Sequence, residues 1–142
     1  MTETELTLVI SRVREQARLT RSFDLRQVGD APRVDFTSGQ VAVLGVSGEE
    51  PAYFAFAGAP EDRDLEVLVK QKVGASAVIY NMCVGDQIEL VGVVGHGFNL
   101  DAMKGRDLVF VAMGTGVAPL RSALRHVLKR KADFGQLVVL YG

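Results

Sequence analysis

The sequence predicts a mainly β fold with a partial α/β ending: a six-stranded antiparallel Greek-key barrel with one short helix, followed by a single βαβ unit. Three observations predict it. Through residues 1–100, short runs of β-branched and apolar residues recur, separated by turns rich in Gly, Pro and Asp. One interval between runs instead carries apolar residues at helical spacing. From Asp107 onward the pattern changes to strand, glycine turn, helix and strand, which requires a right-handed crossover between parallel strands.

Taken in order, Leu6 to Val13 is the first strand, dense in β-branched and apolar side chains, and Ser22 to Val28 alternates as a half-buried strand does. Gly29-Asp30-Ala31-Pro32 breaks the pattern, and Gly39 precedes a third run, Gln40 to Val46. After the Ser47 to Glu50 turn, Pro51 stands at the entrance of Ala52 to Ala57, where a missing N–H is tolerable. Leu65 to Lys70 alternates cleanly, and Gln87 to Val94 follows Gly85-Asp86. Between these two, Ser76 to Met82 reads as a short helix with Ser76 as its N-cap. In the tail, Leu108 to Ala112 and Leu137 to Tyr141 are the strands. Leu120, Ala123, Leu124, Val127 and Leu128 give the intervening helix, opened by Pro119, its apolar stripe. Lys129, Arg130 and Lys131 crowd its C-terminal turn, where the macrodipole favours cations. The boundary between the two parts falls in Leu100 to Arg106, giving units 1–100 and 101–142.

Composition narrows the function. The 16 basic and 17 acidic residues nearly cancel, so nothing electrostatic favours nucleic acid or an anionic membrane as partner. The single cysteine, Cys83, excludes an internal disulfide and is no basis for a thiolate metal site. The start, MTETELTLVISR, is acidic where a signal peptide is basic. No run approaches the roughly 20 apolar residues that cross a bilayer. A cytoplasmic protein without a metal site is expected.

The chemistry lies in the turns. Gly114, Thr115 and Gly116 follow an apolar strand and lead through Val117 and Ala118 to Pro119, an arrangement that presents backbone N–H groups to a phosphate. Gly39-Gln40, Gly58-Ala59-Pro60-Glu61-Asp62, Gly74-Ala75-Ser76, Val84-Gly85-Asp86 and Gly92-Val93-Val94-Gly95-His96-Gly97-Phe98 precede it in that order. With Gly114 to Ser122 the series resembles the ferredoxin–NADP reductase family, in which an antiparallel flavin-binding barrel precedes a parallel α/β domain for NAD(P)H. The local look is nearest to electron-transfer subunits of larger reductases. The resemblance implies FAD in the barrel, NAD(P)H as co-substrate, and hydride transfer to the flavin, whose rings the protein positions and tunes. It puts Gly74, Ala75 and Ser76 on the FAD pyrophosphate. It likewise puts Gly114, Thr115, Gly116, Val117, Ala118 and Pro119 on that of NAD(P)H. It implies an electron-transfer protein or a small acceptor as partner.

Two departures follow. The family's flavin strand reads Arg-x-Tyr-Ser/Thr; counting back from Gly58-Ala59-Pro60 sets Ala52, Phe54 and Ala55 at those places. Ala52 cannot neutralise a diphosphate, Ala55 cannot donate to flavin N5, and Phe54 keeps a ring without a hydroxyl. A slip of one residue would put Tyr53 at the tyrosine place and turn each side chain to the opposite face. Without the arginine, Phe54 and Phe56 read as barrel core with Tyr53 on the other face. Arg63, Lys70 and Lys72 are the nearby candidates for replacing the missing charge. Second, a dinucleotide domain has about five or six parallel strands, whereas this tail offers two. Truncation within the second domain is expected, or else a short form whose bare face is covered by a partner, its own copy above all.

The remaining residues have plainer readings. No catalytic side chain stands out. His96 sits in a loop with no paired carboxylate or nucleophile, His126 is solvated surface on a basic helix, and Cys83 ends a short helix. The expected function is a flavin-dependent NAD(P)H oxidoreductase, impaired in this form. The alternative is a flavin-free binding or assembly subunit on the same fold.

Overall fold

The structure, a computed structural model, describes residues 2–142. Six strands form one antiparallel sheet: β1 (Thr2–Ala17), β2 (Thr20–Gln27), β3 (Val41–Gly45), β4 (Ala52–Ala55), β5 (Leu65–Lys70) and β6 (Gln87–Val94), in the order β4-β3-β6-β1-β2-β5. The two outer strands meet through a bridge between Phe56 and Val67, where the Ala57 N–H donates to the Glu66 carbonyl at 2.8 Å. The sheet is thereby closed into a barrel, which removes its edges.

Alternation fills the interior. Leu8 and Ile10, Phe23 and Leu25, Ala42 and Leu44, Phe54 and Phe56, Val67 and Val69, and Ile88 and Leu90 all enter one buried cluster. Phe36 stacks on Phe56 with ring centroids 4.0 Å apart. Helix α1 (Ala75–Tyr80) adds Ile79 and Tyr80 to that cluster.

The second unit comprises β7 (Leu108–Ala112), α2 (Val117–Leu128) and β8 (Leu137–Tyr141), the strands parallel and in register from Leu108↔Leu137 to Ala112↔Tyr141. Leu100, Phe110, Ala123, Val127 and Phe134 form its own small core, joined by Phe98. The segment leaving β6 thus anchors in both units. There Gly97, at φ 73°, lies so close to residues 37–38 that a Cβ would stand 2.9 Å from the Ser38 carbonyl.

Several expectations change. The first strand is 16 residues long, with register shifts at Ile10/Arg12 and Glu15/Ala17 against β2; local apolarity marks only its centre, while pairing with two neighbours extends it. Gly74, not Ser76, precedes α1, at φ 65°, and the Ser76 hydroxyl donates to the Val73 carbonyl at 3.1 Å. Pro119 is the third residue of α2, not its opener; a missing N–H is harmless anywhere in the first turn. Cys83 lies in an exposed turn beyond α1, its amide held by Asp86 at 2.8 Å. The bare face expected of a two-stranded tail is present: Phe110 packs on Ala123 and Val127 of α2, while the opposite face of β7 and β8 is open. Val109, Val111, Val138 and Leu140 are exposed, the first two by 62% and 64%.

Candidate functional site

A trough between the barrel and the βαβ unit gathers most of the residues singled out from the sequence. Its floor is β5. Because Val67 and Val69 point into the core, Glu66, Leu68 and Lys70 face outward in a row. Tyr53 and Ala55 of β4 form one wall; Thr115, Gly116, Ala118 and Pro119 form the other. One chamber of about 430 Å³ holds all of these walls together with Phe54, Ser76, Lys70 and Lys72. A second, of about 530 Å³, shares Leu68, Lys70, Thr115 and Ala118 with it and extends to Thr20, Ser22, Glu66, Gly114, Val117 and Tyr141. Both volumes suit a small-molecule site.

Polarity changes along the floor. Glu66, 8% exposed, accepts from Arg121 at 2.7 Å and pairs with Arg14 at 3.0 Å. Arg14 also grips Asp24 with two bonds of 2.9 and 2.8 Å, and this pairing, against the cost of burial, raises its guanidinium above its ordinary value. A buried carboxylate is tolerable when so paired. Leu68 is apolar. Lys70 and Lys72 are exposed and have no ion-pair partner among the described residues.

The glycine turn roofs the trough. Gly114, at φ 51°, starts a short 3₁₀ turn running to Gly116, and neither glycine has an atom within 4 Å of where a Cβ would point. The space above both is open for a ligand. The Gly116 and Val117 amides are already spent on the carbonyls of Met113 and Gly114, so the turn offers fewer free donors than its sequence suggested. The Tyr141 hydroxyl donates to the Gly114 carbonyl at 3.1 Å and ties the end of β8 to the turn.

The flavin-type strand has its phase settled by burial. Phe54 is 7% exposed and belongs to the core, with Ala52 packed against it; Tyr53 is 68% exposed on the outer face. The ring available to a ligand is therefore that of Tyr53; Phe54 borders the chamber but is buried in the core. Nearly uniform apolarity from Ala52 to Ala57 hid this phase. Ala75 is buried and Gly74 lines neither chamber. Glu49 stands beside Gly74, its carboxylate 3.8 Å from where a Cβ would be. Arg63 lies elsewhere, in a charged groove with Arg12, Arg26 and Asp64.

The described residues fit a flavin ring and one phosphate: an aromatic wall, an apolar floor at Leu68, open glycines above and two free ammonium groups. They fit a diphosphate at the α1 turn less well, because a carboxylate faces it.

Sequence reasoning missed how α2 is held. Arg125 pairs with Asp62, His126 with Glu61, Lys129 with Asp62 at 3.4 Å and Arg130 with Glu61 at 3.1 Å. The Ser122 hydroxyl donates to that of Ser38 at 2.9 Å in a buried contact. His126 is thus engaged with the barrel instead of solvated. Lys129 and Arg130 reach the barrel loop as well as closing the helix. Burial pushes the Glu61 carboxyl up, but its own backbone amide, His126 and Arg130 hold it net below its ordinary value. Asp62 is likewise raised by burial and lowered further by the Ala59 amide, Arg125 and Lys129. The available signal was the i, i+4 series Arg121, Arg125 and Lys129, matched by the acidic pair Glu61-Asp62.

Comparison with known proteins agrees with this architecture. Residues 110–142 match the family described as oxidoreductase NAD-binding domain. Sulfhydrogenase 2 subunit gamma of Pyrococcus furiosus is 27% identical over 135 residues, covering 94% of this chain and 46% of that protein. The ferredoxin–NAD(P)(+) reductase component of the naphthalene 1,2-dioxygenase system of Pseudomonas putida is 31% identical over 98 residues, 67% of this chain and 30% of its own length. Among solved structures, phthalate dioxygenase reductase superposes with a TM-score of 0.82 at 23% identity, over 96% of this chain and 43% of that one. The chain thus spans less than half the length of these relatives.

Proposed function

We propose that this chain, ferredoxin–NADP reductase-like in its fold and in its relatives, is the flavin-holding part and the first nucleotide-binding segment of an NAD(P)H oxidoreductase. Residues 1–100 would serve as the flavin-type barrel, and residues 101–142 as the N-terminal βαβ part of an NAD(P)-binding domain. The observation that carries this reading is the trough itself. Tyr53, Ala55, Ser76 and the Thr115-to-Pro119 turn, remote in sequence, line one chamber.

A flavin bound there would accept a hydride and release electrons. The chain's own residues would do the rest: Tyr53 and Leu68 would hold the ring by apolar contact, and the Gly114-to-Pro119 turn would receive the nicotinamide nucleotide's pyrophosphate. Arg14 and Arg121 would hold the Glu66 carboxylate in place. Ala55 offers no proton to the ring, so turnover by this chain alone is expected to be weak. The partner is an electron-transfer protein or a small acceptor, as the names of the relatives suggest. A homodimer would cover the open face of β7 and β8. A cytoplasmic setting belongs to the same proposal; no helix among the described residues is long and apolar enough to cross a membrane.

The test is a visible spectrum after saturation with flavin and gel filtration, followed by NADH- and NADPH-driven dye reduction. A retained yellow chromophore with slow dye reduction supports the reading. A colourless protein favours a flavin-free assembly subunit, the reading to which Ala52, Ala55 and the carboxylate beside Gly74 point.

A further inference from the structure

We propose that Lys70 and Lys72 form the phosphate subsite of this trough, gripping the ribityl phosphate that flavin mononucleotide and the dinucleotide share. The proposal rests on the flavin reading above and goes beyond it by moving the anion contact from β4 to the end of β5.

Four observations carry it. Ala52, where the resemblance expects an arginine, presents a methyl group that packs against the barrel core. The α1 turn, the other expected anion contact, is faced by the Glu49 carboxylate, which would repel a diphosphate. Lys70 and Lys72 line the same chamber as Tyr53 and Ser76. Both ammonium groups are free of ion pairs among the described residues, whereas Arg14, Arg121 and Arg125 are all occupied. Two residues of extended chain span about 6–7 Å, so two flexible lysines at that spacing can converge on one phosphate. Charge also runs the right way along β5. The paired Glu66 end is neutralised, Leu68 suits a ring, and the cationic end lies beyond it, matching a ligand that is aromatic at one end and anionic at the other.

The experiment is a set of fluorescence titrations of the protein with riboflavin, FMN and FAD at low and high salt. The Lys70→Gln/Lys72→Gln double variant is compared with the parent, with Arg63→Gln as a control for unspecific loss of charge. A charge-assisted hydrogen bond is worth a factor of about ten or more in affinity. The parent is therefore expected to bind FMN about ten-fold or more tighter than riboflavin. The double variant should lose that advantage and its salt dependence while binding riboflavin unchanged, and Arg63→Gln should behave as the parent. Glu49→Gln should tighten FAD without altering FMN. Riboflavin and FMN binding the parent equally well, or an unaffected double variant, would overturn the lysine subsite and leave the flavin reading standing. No binding of any flavin would overturn both. Both lysines are exposed, and an unchanged thermal melt of the double variant excludes a folding defect as the cause of lost affinity.

Discussion

At the scale of single residues, adjacent positions on β4 play opposite parts, and substitution separates them. Phe54→Ala empties a core site and is expected to cost about 3–5 kcal/mol of stability, read by chemical denaturation. Tyr53→Ala removes an exposed ring and should leave stability within about 0.5 kcal/mol. It should nevertheless weaken flavin binding in fluorescence titration. A stable Phe54→Ala variant would mean that the strand's phase is reversed. Gly97→Ala is expected to destabilise by about 1–3 kcal/mol, since a methyl would be forced against the Ser38 carbonyl at positive φ. The sequence brought Ser76 and the Gly114-to-Pro119 turn to the trough, because turns and their order are written in Gly, Pro and Asp, but it put Gly74 and Ala75 there too, and they line neither chamber. It could not reveal which way Tyr53 and Phe54 point. A run of apolar residues has no period, and only pairing with β3 and the closing bridge at Phe56 fixes the phase.

At the scale of elements, α2 is fastened to the barrel by ionised groups, so its attachment depends on pH. Glu61 and Asp62 titrate lower in the folded chain than their ordinary values. Each therefore contributes stability that is full above the unfolded value of about 4 and is lost as pH falls through the lower folded value. Asp64, lowered chiefly by its hydrogen bonds from Arg26, adds to the same trend within the barrel. Thermal melts should fall on acidification below about pH 4, and less steeply in a Glu61→Gln/Asp62→Asn variant. That variant should lose about 1 kcal/mol at neutral pH, the scale of half-exposed pairs. Equal acid sensitivity in both would assign the effect to other carboxylates. The existence of these elements was legible, with β5, β6, β7 and β8 right to the residue, whereas the limits of β1, β2, β3, α1, the end of β4 and the start of α2 were displaced by one to four residues. The docking of α2 was not. Its basic stripe reads as solvated surface until an acidic loop, remote in sequence, is folded against it.

At the scale of the whole molecule, two cores of unequal size share one chain, and the smaller has an uncovered face. Val109, Val111, Val138 and Leu140 form an apolar strip on a two-stranded sheet, the kind of surface that seeks a partner. Self-association is expected in light scattering at high concentration, and Val111→Lys should abolish it with the barrel intact by circular dichroism. A parent that stays monomeric throughout would sink the homodimer. The barrel-then-βαβ plan was legible because its periods differ, and so was the bare face of the last sheet, since two apolar strands standing where a dinucleotide domain has about five or six leave a side uncovered. Strand β1 divides its pairing, with β2 over Leu8 to Ala17 and with β6 over Thr2 to Val9. Its second neighbour lies some eighty residues downstream, so closure of the cylinder carries a large loop-entropy penalty. During synthesis the leading hairpin would wait, half matched, until residue 94 clears the ribosome. The local βαβ segment would then form quickly and settle last.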